Sequence, residues 1–294
     1  MKRFVVGFFG DGLWALYALE GLVADPGIKV AFVCTRFGNL DTRLEQMAHR
    51  FGIMHIVHPD VNSSEFKARL PPDDYDLFIS MSFDQIFSTE LIEYPRLRTI
   101  NCHAGKLPFY RGRNVLNWVL INDEKEFGVT VHCMDTGIDT GDILAQQVYP
   151  ITDKDDYATV LSRAQIACPE LLLDTVNELR EGVAVFQKQT DIHPLGSYCH
   201  RREPGDERLD WDQTSREVFN FVRAICPPGP AARTRLGALE LRICRVEEST
   251  EFTGIPGTVI AVDNAGFVVA TADSGVRVVD WSGVSDVRPG DQLT

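Results

Sequence analysis

Between Phe4 and Cys102 five short apolar runs alternate with stretches whose apolar residues recur at helical spacing. The runs are Phe4 to Phe9, Lys29 to Cys34, Ile53 to Val57, Leu77 to Met81 and Thr99 to Cys102; the helical stretches begin near Gly12, Leu40, Ser63 and Gln85. Strands apolar on both faces need cover on both faces, and crossover helices supply it when consecutive strands run parallel. The expected fold is therefore α/β: a mainly parallel, doubly wound sheet with ligands outside the carboxyl ends of its strands. Gly7-x-x-Gly10-x-Gly12 is not in the dinucleotide order G-x-G-x-x-G and reads as a tight strand-to-helix turn.

Further along, Arg113 to Asn122 reads as a helix with Val115, Trp118 and Val119 in the core, and Phe127 to Cys133 and Ile143 to Val148 as strands. Asp156 to Leu179 reads as a long helix burying Leu161, Ile166, Leu172 and Val176. From Thr190 the texture changes, as Pro194, Gly196, Pro204 and Gly205 break up a polar stretch that reads as a linker or active-site loop. A short helix, Arg216 to Ala224, precedes Pro227-Pro228-Gly229-Pro230. Strand-like runs at Ala238 to Cys244, Gly257 to Val262, Phe267 to Ala270 and Val276 to Trp281 have the spacing of a small β domain, with which an OB-like barrel is compatible. The expected division is 1–189, 190–208 and 209–294.

The 294 residues carry 29 Lys and Arg against 42 Asp and Glu, a net charge of −13. Gripping a polyanion calls for a basic face, so this balance weighs against a nucleic-acid partner while leaving room for a local patch. Positive charge gathers at Lys106, Arg111 and Arg113 and again at Arg201 and Arg202, which suits a small anion such as a pyrophosphate; solvated loop charge is the alternative. Seven cysteines scattered from Cys34 to Cys244, with no paired C-x-x-C, no HExxH and no His-rich tract, point to reduced thiols and no metal. His55 and His58 read as surface or structural residues and not as a ligand pair, and His132 as a structural histidine. The opening MKRFVVGFFGDG has a basic start and an apolar run, but Asp11 follows at once and no small-residue cleavage site is evident, so a buried first strand is expected and not a signal peptide. No run of about 18 apolar residues is present to span a membrane, and the odd, scattered cysteines argue for reduced thiols in the cytoplasm.

The stretch from Asn101 to Ile143 carries the chemistry. In Leu97-Arg-Thr-Ile-Asn-Cys-His103, alternation puts Asn101 and His103 on one side of a strand, aimed past the sheet edge. An amide donor and an imidazolium together suit the oxyanion that forms when an amine attacks an acyl carbon. A carboxylate is then needed to orient the imidazole and accept the amine's proton, and the loop after the next strand offers Asp135, Asp139 and Asp142, with Gly137 and Gly141 permitting tight turns. Taken alone, an Asn at a strand end is also a turn former, and acids in a Gly-containing loop also form solvated turns or helix caps.

The same stretch resembles the formyltransferase family that uses 10-formyltetrahydrofolate, in Asn101-Cys102-His103, Leu107-Pro108, Arg111-Gly112 and Ile138-Asp139-Thr140-Gly141-Asp142. The likeness covers nearly the whole chain, from the GFFGDG turn to Asp206-Glu-Arg-Leu-Asp-Trp211 and Val222 to Ala231. It implies a Rossmann-like catalytic sheet and a catalytic triad of Asn101, His103 and Asp139, the aspartate preceding x-G. It implies folate contacts at Ser80, Met81, Ser82 and Phe83 and in the loop at Asp135, Gly137, Ile138 and Asp139, with Asp135 also a turn residue and Asp142 a loop-stabilising acid.

Three acceptors fit such a triad: an initiator tRNA, a small purine-pathway amine, and an amino sugar on a nucleotide. The C-terminal β domain speaks against the purine enzyme, which lacks one. Lys106-Leu-Pro-Phe-Tyr-Arg-Gly-Arg-Asn-Val-Leu-Asn-Trp118 and His200-Arg-Arg-Glu-Pro-Gly-Asp-Glu-Arg-Leu-Asp-Trp211 are most similar to the amino-sugar N-formyltransferases, whereas the tRNA enzymes usually have Ser-Leu where this chain has Gly105-Lys106. The resemblance thus implies a nucleotide-linked amino sugar, such as a 4-amino-4,6-dideoxyhexose for surface glycan, with Lys106, Arg111, Arg113, Arg201 and Arg202 as substrate contacts, folate as co-substrate and no metal. A folate or nucleotide-sugar binding module is the non-enzymatic alternative; a homodimer is compatible with the sequence.

Overall fold

The computed structural model describes residues 2–38, 40–249 and 254–294. In chain order the elements are β1 (Phe4–Gly10), α1 (Gly12–Ala24), β2 (Ile28–Thr35), α2 (Arg43–Arg50), β3 (Met54–Val57), α3 (Ser64–Arg69), β4 (Leu77–Met81), α4 (Thr89–Ile92) and β5 (Thr99–His103). There follow β6 (Arg111–Gly112), α5 (Val115–Ile121), β7 (Glu126–Cys133), β8 (Ile143–Pro150), α6 (Tyr157–Glu181), α7 (Gln189–Ile192), β9 (Tyr198–Cys199) and α8 (Ser215–Ile225). The last strands are β10 (Ala232–Leu236), β11 (Leu239–Ser249), β12 (Val259–Asp263), β13 (Gly266–Ala270) and β14 (Gly275–Ser282). Two compact units result: 1–112 with 128–149 and 163–198, and 113–127 with 150–162 and 199–294.

The first unit is built on a sheet of order β3-β2-β1-β4-β5-β7-β8. β1, β2, β3, β4 and β5 run parallel, and β7 runs antiparallel to β5. Sequence order reverses between β1 and β4, so the topological switch point lies at the carboxyl ends of those two strands. All seven residues of β1 are buried, as a central strand covered on both faces requires. Gly7 lets the rings of Phe32 and Phe78 close over β1, since a Cβ there would strike both. Next to it Phe9 sits among Phe32, Phe66, Phe78, Phe83 and Phe87, with ring centroids 4.7–5.9 Å away and the rings mostly edge-on.

Two expectations for this unit need correction. Ile166 is 56% exposed; the buried face of α6 here runs through Ala164, Ala167, Cys168, Leu172 and Val176, at spacings of three and four, so Ile166 falls off the stripe. No helix begins near Gln85. Its side chain accepts from the Val61 N–H (2.9 Å) and donates to His58 O (2.9 Å), and the helix starts later, where the Ser88 hydroxyl caps α4 at the Leu91 N–H.

In the second unit α5 and α8 come together through Asn117, whose amide donates to Ala224 O at 2.7 Å. A capping box between Thr214 and Glu217 starts α8. Its Arg216 bonds Asp123 (2.6 Å), Asp153 (2.6 Å) and Glu248 (3.0 Å), which gathers separate chain segments at one guanidinium. Trp118, expected in the core with Val115 and Val119, is half-buried, because its indole N–H reaches out to His200 O at 2.9 Å. The C-terminal sheet is antiparallel throughout, in the order β10-β11-β14-β13-β12. Its strand β10, Ala-Arg-Thr-Arg-Leu, escaped the sequence reading because the residues it buries, Ala232 and Thr234, are small. Among the described residues no helix is long and apolar enough to cross a membrane.

The aromatic cluster yields a stability prediction. Phe9→Ala, which empties the middle of the cluster, should destabilise the chain by about 3–5 kcal/mol. Urea unfolding followed by tryptophan fluorescence would measure it, and a loss below about 1 kcal/mol would show that the cluster does not hold the sheet.

Candidate active site

Asn101 and His103 end β5, and the register β5–β7 sets His132 opposite Asn101 and Thr130 opposite His103. Cross-strand partners share a face, so His132 is delivered beside Asn101. The Asn101 amide nitrogen lies 3.2 Å from His132 Nε2, and His132 Nδ1 lies 2.8 Å from Cys133 O. The Asn101 amide nitrogen carries two hydrogens, so contact with His132 leaves at least one available. From the sequence alone His132 reads as a structural histidine. Its ring nitrogens are indeed partnered, but two of its neighbours are the predicted site residues Asn101 and Asp139, the latter at 3.5 Å. The alternation Thr130-Val-His132 was visible; the antiparallel register that aligns it with Asn101 was not.

Asp139 arrives on the loop between β7 and β8. Asp135 staples this loop, accepting from the Gly137 N–H (3.0 Å) and the Thr140 hydroxyl (2.6 Å). Gly141 crosses directly over Cys133 O, which a Cβ would strike. Asp139 itself is left-handed, at φ 54°. Its carboxylate accepts from the Gly112 N–H at 2.9 Å and lies 3.7 Å from His103 Nδ1. Burial pushes this carboxyl upward, but the charges of His103 and His132 and the Gly112 hydrogen bond outweigh it and hold the group well below the usual carboxylate range. The other His103 nitrogen, Nε2, is 2.6 Å from Tyr110 O, an approach that Gly105 permits, because a Cβ there would meet both the His103 ring and that oxygen. Asp142 holds the loop through its backbone, its carbonyl accepting from the Cys133 N–H at 2.8 Å, and Ile138 is 54% exposed.

Arg111, expected to contact substrate, has another task. It is 7% exposed, and its guanidinium donates to Gln189 Oε1 (3.0 and 2.7 Å) and to Leu195 O (3.1 Å). The Gln189 amide in turn donates to Asp139 O and Gly141 O, both at 2.8 Å. This buried Arg–Gln pair clamps the aspartate loop, and nothing in the sequence around Gln189 marked it. Of the other expected cations, Lys106 is half-buried in the turn after β5, within the first unit. Arg113, Arg201 and Arg202 belong to the second. There Arg113 and Arg201 are exposed, and Arg202 is half-buried, donates to Asp206 O at 2.6 Å and lies over the Phe221 ring.

At the switch point Ser80 pairs in register with Asn101, so the expected folate segment adjoins β5. Ser82 has φ 57°, and its carbonyl accepts from Arg36 Nε at 2.9 Å. Arg36 also lies 3.3 Å from the Asp11 carboxylate. Burial raises the Asp11 carboxyl above its ordinary value despite Arg36. Phe83 packs its ring on Phe9 and Phe87.

Comparison with known proteins agrees with this architecture. A family model described as formyl transferase matches residues 26–176, and one described as formyl transferase, C-terminal domain, matches residues 202–282. The methionyl-tRNA formyltransferase of Halothermothrix orenii is 30% identical over 93% of this chain and 90% of its own length. Among solved structures, an N-formyltransferase from Helicobacter canadensis in complex with folinic acid and dTDP-3-aminofucose superposes with a TM-score of 0.74, at 21% identity, over 95% of this chain and 100% of that one. A sugar N-formyltransferase from Shewanella sp. FDAARGOS_354 gives a TM-score of 0.65 at 25% identity, over 85% of this chain and 99% of that one. The chain therefore belongs to the formyltransferase family of enzymes.

Proposed function

We propose that the chain moves the formyl group of 10-formyltetrahydrofolate to the amine of a nucleotide-linked amino sugar, in the cytoplasm, with Asn101, His103 and Asp139 as the catalytic set. The observation that carries the reaction is the convergence of an amide, an imidazole and a deprotonated carboxylate at the end of β5. As the amine nitrogen bonds to the formyl carbon, the carbonyl oxygen gains charge, which the second Asn101 hydrogen and the His103 imidazolium stabilise. His103 Nδ1 and Asp139 Oδ2, at 3.7 Å, stand beyond direct hydrogen-bond reach of each other but close enough for a third polar atom to bridge them. The amine's proton passes to Asp139, directly or through water, while the folate nitrogen leaves and takes up a proton. His132 acts through Asn101 and Asp139 as a positioning residue.

The net charge of −13 supports the sugar acceptor, as do Gly105 and Lys106, where a glycine admits the His103 ring and a cation follows it. In this reading Arg113, Arg201 and Arg202 contact the nucleotide phosphates. Methionyl-tRNA is the second reading, favoured by relatives of that name such as that of Halothermothrix orenii. A mass-spectrometric screen of UDP-, GDP- and dTDP-linked amino sugars for a formyl mass gain, run beside charged initiator tRNA, separates the two. Formylated tRNA with no formylated sugar would reject the sugar reading.

His103→Ala and Asp139→Asn should each lower kcat by orders of magnitude with unfolding midpoints retained, and Asn101→Ala on the order of 100-fold, as for one lost oxyanion donor. Asp142→Asn should cost less than Asp139→Asn; the opposite order would move the proton acceptor to Asp142.

Replacing Arg201 and Arg202 together with alanine should raise the KM for the sugar nucleotide and leave kcat and folate affinity nearly unchanged, since phosphate is held equally in ground and transition states. A fall in kcat at unchanged KM would place these arginines in some other role.

A further inference from the structure

Among the described residues, Glu45, His49 and His55 each bring one ligand atom within 4.8 Å of the others. We propose that they form a binding site for a divalent transition-metal ion of the zinc type, separate from the formyl-transfer residues and tying α2 to β3. Glu45 and His49 are four residues apart on α2, so both side chains project from one helix face. The chain turns back within three residues, Phe51 to Ile53, and sets His55 on β3.

The imidazole of His55 is already oriented. Its Nε2 lies 2.9 Å from the Thr35 hydroxyl, and its Nδ1 points toward Glu45 Oε1 at 3.7 Å. A ring whose outer nitrogen is held by a hydrogen-bond partner presents the other one to a metal in a fixed direction, as ligating histidines do. Tetrahedral zinc, with bonds of about 2.0–2.1 Å to nitrogen and oxygen, holds its ligand atoms roughly 3.4 Å apart. The His55–Glu45 separation is close to that, and His49, exposed at the end of α2, brings its ligand atom within 4.8 Å of both. Two imidazoles and one carboxylate favour zinc, cobalt or nickel over magnesium or calcium, which take oxygen ligands. His58 takes no part, its Nδ1 lying 2.7 Å from Asp60 O and its Nε2 3.8 Å from Glu65. The expectation of no metal rested on short motifs, and the spacing Glu-x3-His-x5-His matches none of them.

The test uses the untagged full chain, stripped with a chelator and dialysed. Calorimetric titration with zinc should give one site per chain, and titration with cobalt should give the visible d–d bands of a tetrahedral centre. His49→Ala and Glu45→Gln, at surface positions and checked by circular dichroism, should each weaken zinc binding at least on the order of tenfold, whereas His200→Ala, which removes an exposed imidazole elsewhere, should not. Zinc should also raise the unfolding midpoint of the wild type and not that of His49→Ala, as linkage requires. No saturable binding, or equal affinity in wild type and His49→Ala, overturns the proposal.

Discussion

The Asp139 carboxylate is fixed from three directions, by the Gly112 N–H, by His103 and by His132, and the backbone that carries it is fixed by Gln189. A carboxylate buried beside two imidazoles is costly unless such partners hold it, so the surrounding loops are arranged to keep them in place. Arg111 orients Gln189, Gln189 binds the carbonyls of Asp139 and Gly141, and the Gly112 N–H, one residue after Arg111, closes the circuit on the carboxylate. The loop after β5 and the loop after β7 are thereby one rigid support. In the proposed reaction that rigidity is what Asp139 needs as proton acceptor, because a shift of about 1 Å at such a group costs much of its effect.

Much of this was legible in the sequence. The five apolar runs predicted β1, β2, β3, β4 and β5 to within a residue or two at each end, because a strand buried on both faces announces itself by composition alone. The positions of Asn101 and His103 at a strand end followed from two-residue alternation. Features that depend on register or on long-range partners were not legible. His132 joins the site through its antiparallel pairing with Asn101, and Gln189 through a contact some fifty residues away in sequence from Asp139. On α6, Leu172 and Val176 are buried as expected, but Ile166 is not, for a related reason: that part of the stripe is set by the small residues Ala164, Ala167 and Cys168, which carry less hydrophobic signal than Ile166.

Arg111 shows how charge misleads when only the sequence is known. An arginine flanked by Lys106 and Arg113 looks like part of an anion site, and an Arg–Gly step suits a loop at a ligand. Its guanidinium instead meets carbonyl acceptors inside the protein and lies 5.2 Å from the Tyr198 ring centroid. A planar group with five donors can crosslink a loop as well as grip a phosphate, and burial decides between the two.

The catalytic constellation and the acceptor are separable problems in this fold. Oxyanion donors and a proton acceptor answer to the formyl carbon and the attacking nitrogen, which are alike whether the amine belongs to a sugar or to methionyl-tRNA. Discrimination must then come from what binds the remainder of the acceptor, and the two acceptors differ most in charge: a sugar nucleotide presents one pyrophosphate, a tRNA a whole phosphate backbone. A few placed cations suffice for the first, whereas the second calls for an extended basic face. A net charge of −13, with Arg216 already paired to Asp123 and Asp153, is in keeping with the smaller acceptor of the proposed function.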